Sequence, residues 1–172
     1  HMITQVDHAP QVVVALLEGA VLGGGFGLAC VSDIAIAVET AQFGLPETGL
    51  GVIPAQIAPF VVQRIGMTQA RRLALLGARF NGSEAARLGI VHEVVADAAA
   101  LEAALAQTLS QVKKCAPNAN RVTKALLHRV GHEPLESLLD DAARQFARAV
   151  ASPEGAEGTM AFVQKRPAKW AE

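Results

Sequence analysis

Residues 1–63 of this 172-residue chain contain no lysine or arginine, so all 15 basic residues lie in 64–172. The same stretch carries five acids, Asp7, Glu18, Asp33, Glu39 and Glu47. A segment so poor in charge reads as core, and the remainder as amphipathic surface over core. Net charge is −1 and the basic residues are interleaved with acids, which excludes a nucleic-acid field and leaves solvated helix faces. Cysteine is scarce too. Cys30 and Cys115 stand far apart, with neither metal-ligand spacing nor a secreted disulfide framework, so no metal is expected and a reduced, cytoplasmic setting is the default. His1-Met2 looks like a cloning scar, and no signal-peptide pattern follows it. Aromatics make up only 4%. What is abundant is apolar: 51% of residues, mainly alanine and leucine, the profile of an α/β or mostly helical domain. The length suits one domain with a sizeable core.

The most apolar run, residues 12–31 (VVVALLEGAVLGGGFGLACV), excludes itself as a membrane span. Glu18 sits inside it, glycines break it, Asp33 follows closely, and no basic or aromatic anchors flank it. The pattern predicts a strand over Val12–Glu18, a glycine turn over Gly19–Gly25, and a short apolar helix to Val31. A second strand follows at Asp33–Val38, then an extended piece at Gln42–Gly44 and a loop around Glu47. Helix is expected after Pro54, interrupted near Pro59, and again over Thr68–Gly77. Ser83 reads as the N-cap of a short helix to Leu88, and Ile90–Val95 as a strand. From residue 98 helical period dominates: 98–115, then 117–130, 134–151 and 153–164, each of these last three opened by a proline. The division expected is 3–97 as a strand-rich core and 98–172 as a helical region, within one structural domain.

Strand, glycine cluster, helix is the geometry of an anion site, because the first amides of a helix have no internal partner. Neither frame of the cluster fits G-x-G-x-x-G, and no Walker lysine follows. Two uses stay open: an oxyanion or phosphate site, or a close-packed corner where nothing larger than glycine fits. Glu47 stands in a loop of apolar residues and glycines. Poor solvation of a carboxylate suits a proton donor or acceptor near neutral pH, whereas a plain surface or capping glutamate needs no such setting.

Gly23-Gly24-Gly25-Phe26-Gly27, then Asp33-Ile34, then Phe43-Gly44-Leu45-Pro46-Glu47-x-Gly49-Leu50-Gly51-x-Ile53-Pro54 resembles the signature of the crotonase (enoyl-CoA hydratase/isomerase) superfamily. Arg71-Arg72-Leu73-x-Leu75-x-Gly77, Glu84-Ala85-x-x-Leu88-Gly89-x-Val91 and the ending from Ser152-Pro153-Glu154-Gly155 to Phe162-Val163-Gln164-Lys165-Arg166 are similar to later family motifs. The resemblance implies an α/β fold with a crotonase-like (ClpP/crotonase) ββα core, here lacking its N-terminal strands, and a C-terminal helical trimerisation region. It implies an acyl-CoA thioester substrate, coenzyme A arriving as part of it with no separate cofactor, and a homotrimer or a dimer of trimers. Gly24 matches the amide that donates to the thioester oxygen, worth on the order of 3 kcal/mol as charge builds there. Glu47 matches the catalytic acid/base. Phe162 and Lys165, at i and i+3 on the last helix, match the contacts to CoA; a core phenylalanine and a solvated lysine are the plainer uses. Phe26, Pro54 and Ile57 are expected in the acyl pocket. Glu47 and the Gly24 amide should share a cleft, roughly 4–8 Å apart.

Two departures refine the expectation. Common hydratases carry a second glutamate two residues after the glycine triplet, where this chain has Gly27, and the glycine-rich stretch after Ile53-Pro54 is replaced by residues 55–62. Both resemble the branch that hydrates methylglutaconyl- and isohexenylglutaconyl-type thioesters in leucine and acyclic-terpene breakdown. The expected activity is therefore hydration of a 2-enoyl-CoA. The alternatives are a Δ3-Δ2-enoyl-CoA isomerase using one glutamate, or an inactive subunit that binds CoA thioesters. The family's N-terminal segment, which supplies early strands, the other oxyanion amide and much of the CoA loop, has no counterpart here.

Overall fold

The computed structural model describes residues 2–171, which fall into two compact units. One holds the residues up to Ala9 and Val13–Gln107; the other holds Pro10–Val12 and the chain from Thr108 onward. The division falls within a single helix, Ala98–Lys113.

In the first unit the order is α1 (Met2–Asp7), β1 (Val14–Leu17), β2 (Ala20–Leu22), α2 (Gly24–Val31), β3 (Ile34–Val38), β4 (Gln42–Gly44), a 3-10 turn at Glu47–Leu50, α3 (Ala58–Leu76), β5 (Arg79–Phe80), α4 (Gly82–Arg87), β6 (Glu93–Val95) and the first part of α5 (Ala98–Lys113). Two three-stranded sheets result. β3 lies between β1 and β6, parallel to both, with Val14 opposite Ile34 and Ile36 opposite Glu93. β4 lies between β2, parallel, and β5, antiparallel. Strands β2 and β5 were not expected from the sequence, because each is too short to show an alternating pattern. They are paired by register: Phe43 faces Phe80, and Gly44 faces Arg79. The chain turns from β1 into β2 at Gly19, where φ is 63°.

The strand expected over Val12–Glu18 is found as β1, and Asp33 helps to place it, since its Oδ2 accepts from the Val13 amide at 2.7 Å. The core gathers on α2, β3 and β4. Phe26, Phe43, Ile36, Leu45, Val61, Leu73 and Ile90 are its largest fully buried side chains. Phe26 meets Phe43 and Phe80 edge-on at 6.4 and 6.2 Å, and Phe43 stacks on Phe80 at 5.9 Å, so three of the seven aromatics form one cluster.

Two local expectations are corrected. Pro59 does not interrupt a helix; it stands in the first turn of α3, where a missing amide costs nothing. The interruption is at Gly66, whose φ of 75° and ψ of 161° only glycine adopts readily. The cap of α4 is Asn81, not Ser83: its side chain accepts from the Glu84 amide at 3.1 Å. Gly82 enters the helix because a Cβ there would lie 2.6 Å from the Val38 carbonyl oxygen.

Arg64 and His92 tie α3 to β3 and β6. The guanidinium donates to the carbonyls of Gly89 and Ile90 at 3.0 and 2.9 Å and to Ser32 at 3.3 Å. The Ala35 amide donates to His92 Nδ1 at 3.0 Å, which requires that nitrogen to be unprotonated. Burial and then the Arg64 charge hold the His92 pKa below its ordinary 6.5. The native state therefore takes up this proton less readily than the unfolded chain. The stability involved is complete above about pH 6.5 and falls as pH drops through the lowered value. Urea midpoints measured at pH 7 and pH 5 should separate less in His92→Gln than in the wild type, since glutamine can still accept from Ala35.

The second unit contains the end of α5, then α6 (Pro117–Arg129), α7 (Leu135–Val150), α8 (Pro153–Val163) and a 3-10 turn at Lys169–Ala171. The sequence places these helices to within two residues at each end, aided by prolines at the starts. Ser152 caps α8 through the Gly155 amide, and Arg129 joins Glu133 and Asp141 at 2.8 and 2.6 Å. No helix among the described residues is long and apolar enough to cross a membrane.

Candidate active site

Helix α2 starts at Gly24 without a capping side chain. Its N-cap, Gly23, has φ 51° and ψ −116°, a conformation open to glycine and strained for other residues. The Gly27 amide donates back to the Gly23 carbonyl at 3.0 Å and closes the first turn. The amides of Gly24, Gly25 and Phe26 precede that bond and have no intrahelical acceptor. They carry the positive end of the helix dipole. Gly24 is exposed, and a Cβ on it would meet nothing within 4 Å.

Glu47 opens the 3-10 turn directly after Leu45-Pro46. Leu45 anchors the loop in the core, and Thr48 Oγ1 donates to the Ala74 carbonyl of α3 at 2.7 Å. Gly51, left-handed at φ 73°, ends the turn. The loop so held brings the carboxylate to the glycine turn: a Cβ on Gly23 would stand 3.3 Å from Glu47 Oε1. Oε2 is buried, and among the described residues it is the one buried side-chain oxygen or nitrogen without a hydrogen-bond partner. A buried acceptor left unpaired costs about 1–3 kcal/mol, a cost that ordinary packing avoids and a proton-transfer group retains. The fold thus brings together the two features that the sequence marked separately. Gly23 and Thr48, which the sequence did not single out by role, do the joining; the φ of one and the hydroxyl of the other become meaningful only in three dimensions.

Gly27 stands where a second carboxylate would have to be. A Cβ on it would come within 2.3 Å of Ile57 Cγ2 and 3.0 Å of Ile57 Cβ, so no side chain fits. Gly27→Ala should therefore destabilise the protein by about 1–3 kcal/mol through overpacking, read as a lowered urea midpoint at unchanged m-value. Paired with Ile57→Ala, much of that loss should return.

The other expected positions are distributed as follows. Phe26 is wholly buried among aromatics and Ile57 is buried against Gly27, so neither has surface to offer an acyl group; they are core residues, contrary to expectation. Pro54 does line a cavity, together with Leu45 and residues of α3. Phe162 and Lys165 belong to the second unit. Phe162 is 85% exposed near the end of α8. Lys165 is not on that helix: it lies beyond the C-cap Gln164 in a left-handed conformation, φ 53°, the one non-glycine residue with positive φ among those described. Cys30 is inert chemically, its thiol pushed up to about 12 by burial.

A glycine-led helix start facing a loop carboxylate, carried on short parallel ladders, is the crotonase arrangement. The solved structure of Pseudomonas aeruginosa AtuE is 66% identical with a TM-score of 0.98, covering 99% of this chain and 66% of that one. An enoyl-CoA hydratase/isomerase from Marinobacter aquaeolei is also 66% identical, with a TM-score of 0.97 over 99% of this chain and 65% of its own. The enoyl-CoA hydratase ACTT6 of Alternaria alternata is 33% identical over 91% of this chain and 53% of its length. The model of the enoyl-CoA hydratase/isomerase family matches residues 1–172, and the chain belongs to that family. It spans between about half and two-thirds of the length of these relatives.

Proposed function

We propose that the protein is an enoyl-CoA hydratase-type lyase that adds water to a 2-enoyl-CoA thioester. The supporting observation is the buried, unpartnered Glu47 Oε2 beside the uncapped start of α2. In this reading the Gly24 amide donates to the thioester oxygen. Glu47 takes a proton from water as the hydroxyl bonds to the β-carbon, and the π electrons move onto the thioester oxygen as an enolate. Glu47 then returns that proton to the α-carbon, and the carbonyl re-forms. One carboxylate serves both transfers, and the reaction needs no cofactor beyond the CoA of its substrate. A branched glutaconyl-type acyl group is the finer reading, suggested by Gly27 and by residues 55–62.

A second reading, a Δ3-Δ2-enoyl-CoA isomerase, draws support from the closed space at Gly27, because moving one proton between two carbons asks for one base. Incubation of the full-length protein with crotonyl-CoA separates the two. Loss of the conjugated absorbance supports the lyase; no loss there, with conjugation appearing from a 3-enoyl-CoA, supports the isomerase. We also propose a homotrimer or a dimer of trimers. The exposed apolar side chains Leu135, Leu139, Phe146 and Val150 on one helix support association, and a monomer in sedimentation at micromolar concentration would count against it.

A further inference from the structure

Glu47 Oε2 has no hydrogen-bond partner among the described residues, so no bond at that oxygen fixes the side chain. The place of the carboxylate therefore follows the main chain beneath it. On one side that main chain is held by the buried Leu45. On the other, Leu50, Val52 and Ile53 are exposed and give no apolar anchor. The Gly51 and Val52 amides bond the carbonyls of Thr48 and Glu47 at 3.2 and 3.0 Å, which closes the turn on itself and ties it to no neighbour. Among the described residues, one hydrogen bond joins residues 46–53 to another element, from Thr48 Oγ1 to the Ala74 carbonyl at 2.7 Å.

The acceptor suits that use. α3 ends at Leu76, so the Ala74 carbonyl is among those that a helix end leaves without an internal partner. The Ala78 amide, which a longer helix would have given it, turns instead to Leu73 at 3.4 Å, and the Gly77 amide bonds Leu73 as well. The Thr48 hydroxyl takes the place of the missing amide. Ala70 and Leu73 are buried on the same part of α3, beyond the break at Gly66, so the platform is anchored in the core. Thr48 itself is exposed. Water can satisfy the Ala74 carbonyl once the hydroxyl is gone, but water cannot hold the loop. Fold stability and loop position are thus separable at this residue.

We infer that Thr48 is a positioning residue for the reaction: its hydroxyl fastens the Glu47 loop to the end of α3 and so fixes where the carboxylate stands against the glycine turn. The inference rests on the acyl-CoA reading above and deepens it. A single carboxylate that takes a proton and returns it to a different atom has to keep one position through both transfers.

Thr48→Val and Thr48→Ser in the full-length protein test it, on whichever of crotonyl-CoA and 3-hexenoyl-CoA the wild type turns over. Thr48→Val keeps the shape and removes the donor, and should lower kcat about tenfold. Its Kd for butyryl-CoA should match the wild type, and its thermal midpoint should lie within a few degrees. Thr48→Ser should turn over within about twofold of the wild type, because it keeps the O–H donor. In the Glu47→Gln background Thr48→Val should lower the residual single-turnover rate no further, since it acts through the carboxylate. Wild-type turnover by Thr48→Val would overturn the inference and leave the acyl-CoA reading intact. So would a serine variant as slow as the valine one, the mark of packing, or an equal loss in the Glu47→Gln background, the mark of an effect not carried by Glu47. Turnover of neither substrate by the wild type would remove the acyl-CoA reading itself, and the role of Thr48 with it.

Discussion

Glu47→Gln in the full-length protein is expected to lower kcat on a 2-enoyl-CoA by about a hundredfold to ten-thousandfold, with affinity for a saturated acyl-CoA retained. Glutamine keeps the shape of the side chain and its packing beside Gly23, so the loop held by Leu45, Thr48 and Gly51 has no reason to move. What is lost is the capacity of Oε2 to accept and return a proton. Because that oxygen has no protein partner, the substitution breaks no hydrogen bond of the fold, and a fall in kcat reports chemistry rather than stability. Thermal midpoint and single-turnover rate, measured on the same preparation, check this. Unchanged turnover would end the role proposed for Glu47.

The second large effect belongs to a backbone amide. Gly24→Pro should lower kcat by about a hundredfold to a thousandfold with KM little changed, since an oxyanion donor acts mainly where charge develops. Gly24→Ala is the companion. A Cβ at this position would meet nothing within 4 Å, so alanine is tolerated and keeps the amide. Proline at the first position of a helix is likewise compatible with the fold and removes only the donor. A sharp split between these two variants isolates the N–H from the space around it. If alanine were as damaging as proline, crowding of the glycine turn would be the cause and the oxyanion role would fall. Gly23 forms a useful contrast, because any side chain there would be both strained at φ 51° and pressed toward Glu47 Oε1 at 3.3 Å.

Much of this protein was legible in one dimension. The opening third, without lysine or arginine, announced a buried strand, glycine turn and helix, and the structure has β1, Gly19 to Gly23 and α2 in that order. Prolines and helical period located the four C-terminal helices. The family motifs, carried by glycine, proline and one glutamate at set spacings, led to membership of the enoyl-CoA hydratase/isomerase family. Local rules suffice for such features because capping, turn formation and periodicity depend on neighbours in the chain.

Tertiary structure decided what depends on residues remote in sequence. Strands β2 and β5 exist through pairing with β4, not through any pattern of their own. The resemblance put Phe26 and Ile57 in the acyl pocket, yet both turn into the core, because Phe43 and Phe80 take one and Gly27 the other. Lys165 has the spacing of a helical contact, but the helix ends before it. The glycine triplet and Glu47 were each ambiguous alone: a tight corner and a surface carboxylate look the same in sequence as half an oxyanion site and a proton carrier. Only the folded chain sets Glu47 Oε1 against Gly23 and buries Oε2 without a partner, for desolvation and contact are properties of three-dimensional surroundings that no local pattern encodes.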